Sequence, residues 1–429
     1  MGTGGLCVSA INSKAAGTVH RLDTAGAKNS ALPTLIAAVL NGGRADLYGV
    51  PHVSDVENLL KLLERLGATA SRQMRADGML NLSITADRID TTKLTNDLMK
   101  TTRGSVLVLG PLLARKRKCC IAKPGGCSIG KRPIDLHLAA LASMGAKITE
   151  LGEEIYADAP SGLHGADIDF PIKTVTGTEN LMMAATLANG KTILKNAALE
   201  PEITDLGNFL NQMGARITGH GTDIITIEGV TNLSGTEYTI MTDRIEAGSY
   251  MIAAAVSGNI VDVMGGDFRS LLPGFIPKME GAGVEFEDLD NGLRVKGPDR
   301  FRAVEIDTAP HPGFPTDLQP QMMAMLCLAD GESIIRENIW ENRFMHVAEL
   351  NRMGANITID GPVARIRPVK QLYGTTVTAT DLRAAFALIV AAIAARGETI
   401  IKGVHHLDRG YSCVKEKLAA CGLNIERIM

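Results

Sequence analysis

The chain has 429 residues, of which 45% are hydrophobic and 21% are charged, and its formal net charge is -3. This length exceeds the usual size of one hydrophobic core, so two domains are expected. The charge excludes the strongly basic surface of a nucleic-acid-binding protein. The one basic cluster, Arg115–Lys118, is expected to be a solvated turn.

The cysteines and apolar runs indicate a cytoplasmic protein. No two of the seven cysteines form a Cys-x-x-Cys pair, and their odd number is typical of reduced thiols. We therefore expect no structural metal site and no cofactor. The start of the chain lacks the pattern of a signal peptide, and the longest apolar run, 384–395, is too short to span a bilayer. That run is predicted to be a buried helix.

The first chemically informative segment is Ala25–Pro33, where Gly26 is expected to supply a turn before an apolar helix that begins near Lys28. The positive end of a helix dipole disfavours a lysine, unless an anion binds there. Lys28 is therefore a candidate anion ligand. The alternative is a solvated lysine after a turn.

The segment Pro124–Pro133 is a glycine-rich loop that carries one cysteine, Cys127. Lys123 precedes the loop, and Lys131 and Arg132 follow the cysteine. Nearby cations favour thiolate over thiol and attract anionic substrates. The loop is therefore a candidate reactive site. The alternative is a surface loop with a cysteine that takes no part in chemistry.

A short pattern of an apolar residue, glycine and a strand-like tail recurs six times, at intervals of 68 to 78 residues. Its glycines are Gly67, Gly145, Gly214, Gly283, Gly354 and Gly422. Each unit also contains an apolar helix that ends before a strand, usually at a capping glycine. Such units cannot bury their helices alone, so we expect them to pack in two lobes of three. The second unit has Arg115–Lys118 in place of its capping glycine.

These segments, together with further motifs in the same order, resemble the enolpyruvyl transferases that act on UDP-N-acetylglucosamine. The resemblance runs from about residue 17 to the C-terminus. The matching segments are 25–33, 99–105, 124–133, 173–178, 200–202, 243–248, 308–317, 341–346, 379–383 and 406–411.

The resemblance implies a mixed α/β (α+β) protein, a two-lobed inside-out α/β barrel built from the six units. The N-terminal lobe would contain residues 28–242. The C-terminal lobe would contain residues 1–27 and 243–429. The two chain crossings would act as hinges, and closure would bring Cys127 to Asp317 and Arg409.

The implied reaction transfers the enolpyruvyl group of phosphoenolpyruvate to the 3'-hydroxyl of UDP-N-acetylglucosamine and releases phosphate. Addition and elimination at the donor need an acid on one side and a base on the other. By resemblance, Cys127 is the acid and can form a covalent adduct, and Asp317 is the base. From the residues alone, Asp317 is better interpreted as a helix N-cap, since an apolar run follows it.

The resemblance also implies the binding residues. Lys28, Arg132 and Arg409 would bind phosphoenolpyruvate, with Arg103 near the same anions. Asn29 would contact the sugar, Ile339 and Arg343 would lie near the nucleotide, and Asp381 and Arg383 would join the reacting site. The diphosphate would meet the helix start formed by Lys173, Thr174, Val175, Thr176 and Gly177.

Simpler interpretations of these residues stay open. The threonine-rich turn can be an ordinary helix cap, and Asp381 an ordinary acid at a helix start. Arg409 can form a turn salt bridge with Asp408, and His346 can be a packed histidine.

Three different functions also stay open. Lys123 and Gly104 depart from the usual motif, which leaves room for a relative that uses another uridine nucleotide, such as UMP, in a nucleoside-antibiotic pathway. The second alternative is the activity of the sister enzyme, which makes 5-enolpyruvylshikimate-3-phosphate. The third alternative is that the protein is an inactive repeat scaffold. The expected partners are small-molecule substrates, with no nucleic acid and no membrane.

Overall fold

The structure is a computed structural model that describes residues 4–9, 18–94, 99, 103–123 and 134–428, without the side chains of Ser9 and Arg103. Contacts between the Cα atoms separate these residues into two compact units. The N-terminal unit contains residues 26–123 and 134–241. The C-terminal unit contains residues 4–25 and 242–428.

The strands of the N-terminal unit form three four-stranded sheets with one shared topology. In each sheet the first strand is parallel to the second, and the third is antiparallel to both of its neighbours. In spatial order the strands are Thr236–Thr239, Arg44–Pro51, Met79–Thr85 and Thr69–Met74; Lys93–Leu94, Lys118–Ala122, Glu154–Asp158 and Lys147–Leu151; and Asp167–Asp169, Lys191–Lys195, Ile224–Glu228 and Arg216–Thr218.

The C-terminal unit contains three more sheets of the same topology. Their spatial orders are Val19–Asp23, Ile260–Met264, Gly292–Lys296 and Glu285–Leu289; Glu305–Asp307, Ser333–Arg336, Val363–Arg367 and Asn356–Asp360; and Thr376–Thr378, Glu398–Lys402, Gly5–Ser9 and Asn424–Ile428. Two short parallel pairs join Phe301–Arg302 to Ala329–Asp330 and Leu372–Tyr373 to Ala395–Arg396.

The strand Gly5–Ser9 completes the last of these sheets from the opposite end of the sequence. It lies between two strands and is antiparallel to both, with Gly5 opposite Ile428 and Leu6 opposite Ile401. In another sheet of this unit, the strand at the same position is Val363–Arg367. It directly follows its antiparallel hairpin partner, Asn356–Asp360, in sequence. The sixth unit is therefore assembled from both ends of the described chain.

Each unit also contains helices, which lie between its strands in sequence. In the N-terminal unit they are Lys28–Ala37, Ser54–Leu66, Leu109–Lys116, Asp135–Ser143, Val175–Ala185 and Pro201–Gln212, with 3-10 helices at Ala38–Leu40 and Arg103–Val108. In the C-terminal unit they are Arg244–Ser257, Phe268–Leu271, Ile276–Gly281, Gln319–Leu326, Val347–Arg352, Leu382–Ala394 and Val414–Ala420, with 3-10 helices at Thr316–Leu318 and Val404–Arg409.

Three helices pack against one another at the centre of the C-terminal unit: Arg244–Ser257, Gln319–Leu326 and Leu382–Ala394. Nearly all their residues are buried, as expected for helices surrounded by protein on every side. The predicted mixed α/β fold with internal helices is confirmed, and so is the predicted buried helix. The described strands remain in separate open sheets and do not close into one barrel. No described helix has both the length and the hydropathy needed to span a bilayer.

The glycines that revealed the repeat all adopt the left-handed conformation. Their φ angles lie between 77° and 108°, where a side chain is strained, which explains the recurring glycine. The second unit differs at its other helix end, before the strand Lys118–Ala122, where Arg117, with φ 62°, ends the helix Leu109–Lys116. Its Nη1 donates to the carbonyl of Pro160 at 3.1 Å. A left-handed arginine therefore takes the place of a capping glycine there.

Candidate active site

The C-terminal unit places one carboxylate, Asp317, between two buried arginines. Asp317 lies in the 3-10 helix Thr316–Leu318. Its Oδ1 accepts from Arg343 Nη2 at 2.7 Å, and its Oδ2 accepts from Arg383 Nη2 at 2.9 Å and Nε at 3.1 Å. The arginine side chains are only 3% and 6% exposed, whereas the aspartate is 29% exposed. The two guanidinium groups therefore hold and orient a carboxylate that solvent and small molecules can still reach.

Arg383 is fixed by the start of its helix, Leu382–Ala394. The N-cap of this helix is Asp381, whose Oδ1 accepts from the backbone N–H groups of Arg383 and Ala384. The guanidinium lies 5.3 Å from the centre of the Tyr411 ring. Burial lowers the pKa of Arg383, but the neighbouring acidic groups, which include Tyr411 and Asp317, outweigh burial and raise it overall. The group therefore stays cationic beside Asp317.

Asp381 has two roles here. Besides capping its helix, its Oδ1 lies 3.6 Å from Nη1 of Arg343. Arg343 thus contacts both carboxylates, and Asp317, Arg343, Asp381 and Arg383 form one charged cluster. The structure brings together these four of the predicted site residues.

The interpretation of Asp317 as a helix N-cap is wrong. The helix Gln319–Leu326 begins after Leu318, and no side chain caps it. Asp317 lies in a 3-10 turn, one residue before the N-cap position at Leu318. Two buried guanidinium groups are also stronger partners for its charge than backbone N–H groups.

Glu337 is a site residue that the sequence analysis missed. It is 3% exposed, and it accepts hydrogen bonds from two hydroxyl groups and two backbone amides. These donors are Thr308 Oγ1, Thr316 Oγ1, and the N–H groups of Ile339 and Trp340, at 3.0 to 3.2 Å. Glu337 therefore ties the residue before Asp317 to the segment that leads to Arg343. The available signal in the sequence was an acid directly after the apolar residues of the strand Ser333–Arg336.

His346, for which a packed position is the simpler interpretation, is 1% exposed. Burial lowers its pKa to about 4, despite the opposing charge of Asp381. Its Nε2 accepts and donates no hydrogen bond within the described part of the chain. The imidazole is therefore neutral and enclosed in the fold.

Two further predicted residues lie near the surface of the C-terminal unit. Ile339 is half-buried and is positioned by the bond from its N–H to Glu337. Arg409 is the last residue of the 3-10 helix Val404–Arg409. The neighbouring Asp408 carboxylate pairs with Arg427.

The N-terminal unit places Lys28 at the first position of its helix, as predicted. No side chain caps this helix, and Lys28 Nζ lies 3.4 Å from the buried carboxylate of Asp55. Asn29 is exposed at the next position. Gly26 does not form the expected turn. It allows a close approach, since a Cβ there would lie 2.0 Å from the carbonyl oxygen of Gly49.

The helix Val175–Ala185 begins with the predicted threonine-rich turn. Thr174 is its N-cap, and its Oγ1 accepts from the N–H of Gly177 at 3.1 Å. A Cβ on Gly177 would lie 2.4 Å from a Thr174 methyl group, so the cap requires glycine there. Lys173 Nζ donates to the carbonyl of Ala197 at 2.9 Å. The cap interpretation is therefore right, and the helix start also presents backbone N–H groups to an anion.

Cys127 and Arg132, with the whole Pro124–Pro133 loop, lie outside the described residues, as does the side chain of Arg103. Cys7, Cys119, Cys120, Cys327 and Cys421 are free thiols. Within the described ranges, no group of three or more His, Cys, Asp or Glu side chains is arranged to hold a metal ion.

Comparison with known proteins gives two kinds of match to the sequence. The family profile of EPSP synthase (3-phosphoshikimate 1-carboxyvinyltransferase) matches residues 12–418. A UDP-N-acetylglucosamine 1-carboxyvinyltransferase of Magnetococcus marinus is 51% identical over 94% of this chain and 95% of its own. A protein of the same name from Trichlorobacter lovleyi is 49% identical over the same shares.

Two solved structures share the fold. The enolpyruvyl transferase NikO from Streptomyces tendae superposes with a TM-score of 0.86 at 22% identity, over 99% of both chains. An EPSP synthase from Acinetobacter baumannii gives a TM-score of 0.75 at 18% identity, over the full length of both.

Proposed function

The chain belongs to the enolpyruvyl transferase family, and from that premise we propose that it transfers the enolpyruvyl group of phosphoenolpyruvate to the 3'-hydroxyl of UDP-N-acetylglucosamine. Phosphate is released in this reaction, which is the first committed step of peptidoglycan precursor synthesis. The observation that carries the proposal is the 49 to 51% identity, over almost the whole chain, to proteins named for this activity.

The chemistry forms one single bond and breaks one single bond at each of two carbons. The 3'-hydroxyl of the sugar loses its proton to a base as its oxygen adds to C2 of phosphoenolpyruvate, while an acid gives a proton to C3. The C2–O bond to phosphate then breaks, and C3 loses a proton to restore the double bond. All three proton transfers are general acid–base steps, and the proposed reaction uses no cofactor.

We assign the base to Asp317, because its carboxylate is held by Arg343 and Arg383 yet remains accessible. Cys127 is the proposed acid and covalent nucleophile. These are the two groups that the addition step needs.

Cations supply the proposed donor site. Lys28, Arg132 and Arg409 would bind the phosphate and carboxylate of phosphoenolpyruvate, and Arg103 would support them. Lys28 is suited to this role because its amine stands at an uncapped helix start, where the helix dipole also favours an anion.

The acceptor would bind along the start of the helix Val175–Ala185, with its diphosphate at residues 173–177. Asn29 would contact the sugar, Ile339 and Arg343 the nucleotide, and Asp381 and Arg383 would support the reacting groups. We further propose that the two compact units are the two lobes of the enzyme, and that it works in the cytoplasm, where its anionic substrates are retained.

The test measures phosphate release with phosphoenolpyruvate and one of three acceptors: UDP-N-acetylglucosamine, UMP or shikimate-3-phosphate. We expect turnover with UDP-N-acetylglucosamine to exceed the others by at least about a hundredfold, since a site built for one polar ligand leaves its groups unpaired with another. Equal or faster turnover with UMP or shikimate-3-phosphate would refute the assigned acceptor.

A further inference from the structure

A buried chain of hydrogen bonds in the N-terminal unit ends at Thr176, in the proposed diphosphate segment. Asn180 Oδ1 accepts from the backbone N–H of Gly110 at 2.7 Å. Asn180 Nδ2 lies 2.9 Å from Nδ1 of His137, and His137 Nε2 lies 3.2 Å from Oγ1 of Thr176. Asn180 and His137 are 0% and 2% exposed. This series of hydrogen bonds therefore links three helices away from solvent.

The direction of every bond in this chain follows from its first member. A backbone N–H can only donate, so the Asn180 atom facing Gly110 must be the amide oxygen. The amide nitrogen then faces His137 and donates to Nδ1. Because Nδ1 accepts, the proton of the neutral ring is on Nε2, which donates to Thr176. The Thr176 oxygen is thus an acceptor in this chain.

The side-chain amide of Asn180 has little freedom to rotate by about 180° and exchange its oxygen and nitrogen. A Cβ on Gly110 would lie 2.2 Å from Asn180 Oδ1 and 2.5 Å from the Asn180 backbone oxygen. The absence of a side chain at Gly110 therefore permits this contact. Asn180 Nδ2 also lies 3.4 Å from the carbonyl of Val106, a second acceptor on the same side as His137. Both contacts favour the same orientation of the amide.

The consequence concerns the hydroxyl proton of Thr176. Since its oxygen accepts a hydrogen bond from His137, its own proton points elsewhere, and the hydroxyl donates to no other residue in the described part of the chain. Thr176 is half-buried, in the first turn of its helix, so this proton can reach a ligand. A hydroxyl held in this way is a directed donor, suited to an anionic oxygen.

We propose that Thr176 is a substrate-positioning residue whose hydroxyl donates to a diphosphate oxygen of the acceptor nucleotide, with its direction set by Gly110, Asn180 and His137. This inference rests on the proposed function for the identity of the ligand. His137 and Asn180 act through Thr176 and hold no proton that the reaction uses.

The first test determines the donor and acceptor roles along this series of hydrogen bonds in the absence of substrate. In protein labelled with 15N-histidine, the ring signals of His137 are assigned by their loss in His137→Gln. We expect an unprotonated Nδ1 and a protonated Nε2. In Asn180→Asp the new carboxylate cannot donate to Nδ1, so this pattern should change. A proton on Nδ1 in the wild-type protein would overturn the inference.

The second test measures binding of UDP-N-acetylglucosamine by calorimetry to wild type, Thr176→Val and Thr176→Ser. Loss of a hydrogen bond to a charged group is expected to raise the Kd of Thr176→Val by about ten- to a hundredfold, with Thr176→Ser close to wild type. The KM for phosphoenolpyruvate should not change. Wild-type affinity in Thr176→Val would overturn the inference.

The control is Thr178→Val, in the same helix. The Thr178 hydroxyl donates to the carbonyl of Thr174 at 2.7 Å and accepts from the N–H of Ala198 at 3.1 Å. It therefore already acts as a donor and as an acceptor within the protein. Its loss should not change the Kd for the nucleotide. An equal loss of affinity in both variants would overturn the specific role of Thr176. A wild-type protein that does not bind the nucleotide would instead refute the proposed function.

Discussion

Replacing Asp317 by Asn tests the charged cluster most sharply, because the substitution keeps the size of the side chain and removes only its charge. Arg343 and Arg383 would still lie within hydrogen-bonding distance of an amide. The amide has one acceptor oxygen where the carboxylate has two, and it cannot take a proton from a hydroxyl. We therefore expect losses in both stability and turnover.

The size of the stability loss follows from burial. Removing one partner of a fully buried ion pair costs about 3–5 kcal/mol. Asp317 is 29% exposed, and Arg343 keeps a second carboxylate at 3.6 Å. We therefore expect a loss of about 1–2 kcal/mol, a decrease of about 2–8 °C in the Tm of a unit of this size. Loss of the general base should lower kcat by at least about a hundredfold.

A matched control is available on the exposed surface of the same unit. Glu332 also pairs with two arginines, Arg365 and Arg367, both at 3.2 Å, and all three side chains are more than a third exposed. Glu332→Gln should leave Tm and kcat unchanged within error, because exposed pairs contribute little. The assays are thermal unfolding and phosphate release. Near wild-type kcat in Asp317→Asn would refute its role as base, and equal changes of Tm in both variants would refute the role of burial.

Three further predictions concern other residues. Cys127 should be alkylated before the other thiols. Burial raises the pKa of Cys327, for example, to about 12, which disfavours the reactive thiolate. Mass mapping that finds another cysteine labelled first would contradict this prediction. His346 is neutral in the folded protein but binds a proton below about pH 6.5 when unfolded. The free energy of unfolding should therefore fall as the pH decreases from about 6.5 towards 4, and it should fall less in His346→Leu, measured by urea denaturation. Thr316→Val removes one of four donors to buried Glu337 and should lower the free energy of unfolding by about 1–2 kcal/mol. It should also reduce kcat. An unchanged kcat would show that Glu337 does not help to position Asp317.

The repeat and its helices could be predicted from the sequence because local rules govern them. A left-handed residue after a helix strongly favours glycine, so the recurring glycines marked the same structural position six times. The apolar run that became Leu382–Ala394 was long enough to identify a buried helix. Arg117 shows where such a rule fails, since it adopts φ 62° without being glycine.

The charged cluster could not be predicted in the same way. Asp317 pairs with arginines 26 and 66 residues further along the chain, and no local pattern encodes such a contact. The capping rule considers only the residues next to Asp317, and it therefore gave the wrong partner. Glu337 was missed for a related reason, because two of its four donors come from Thr308 and Thr316, on a separate segment.

The most direct test of the central claim is to run the reaction in D2O and determine the product by NMR. If the 3'-oxygen adds to C2 while a solvent deuteron adds to C3, C3 becomes a rotating methyl group that can lose either isotope. The account predicts an enolpyruvyl ether on the 3'-oxygen of UDP-N-acetylglucosamine, with deuterium in its vinyl methylene group. A product substituted at another oxygen, or one without deuterium in that group, would contradict it.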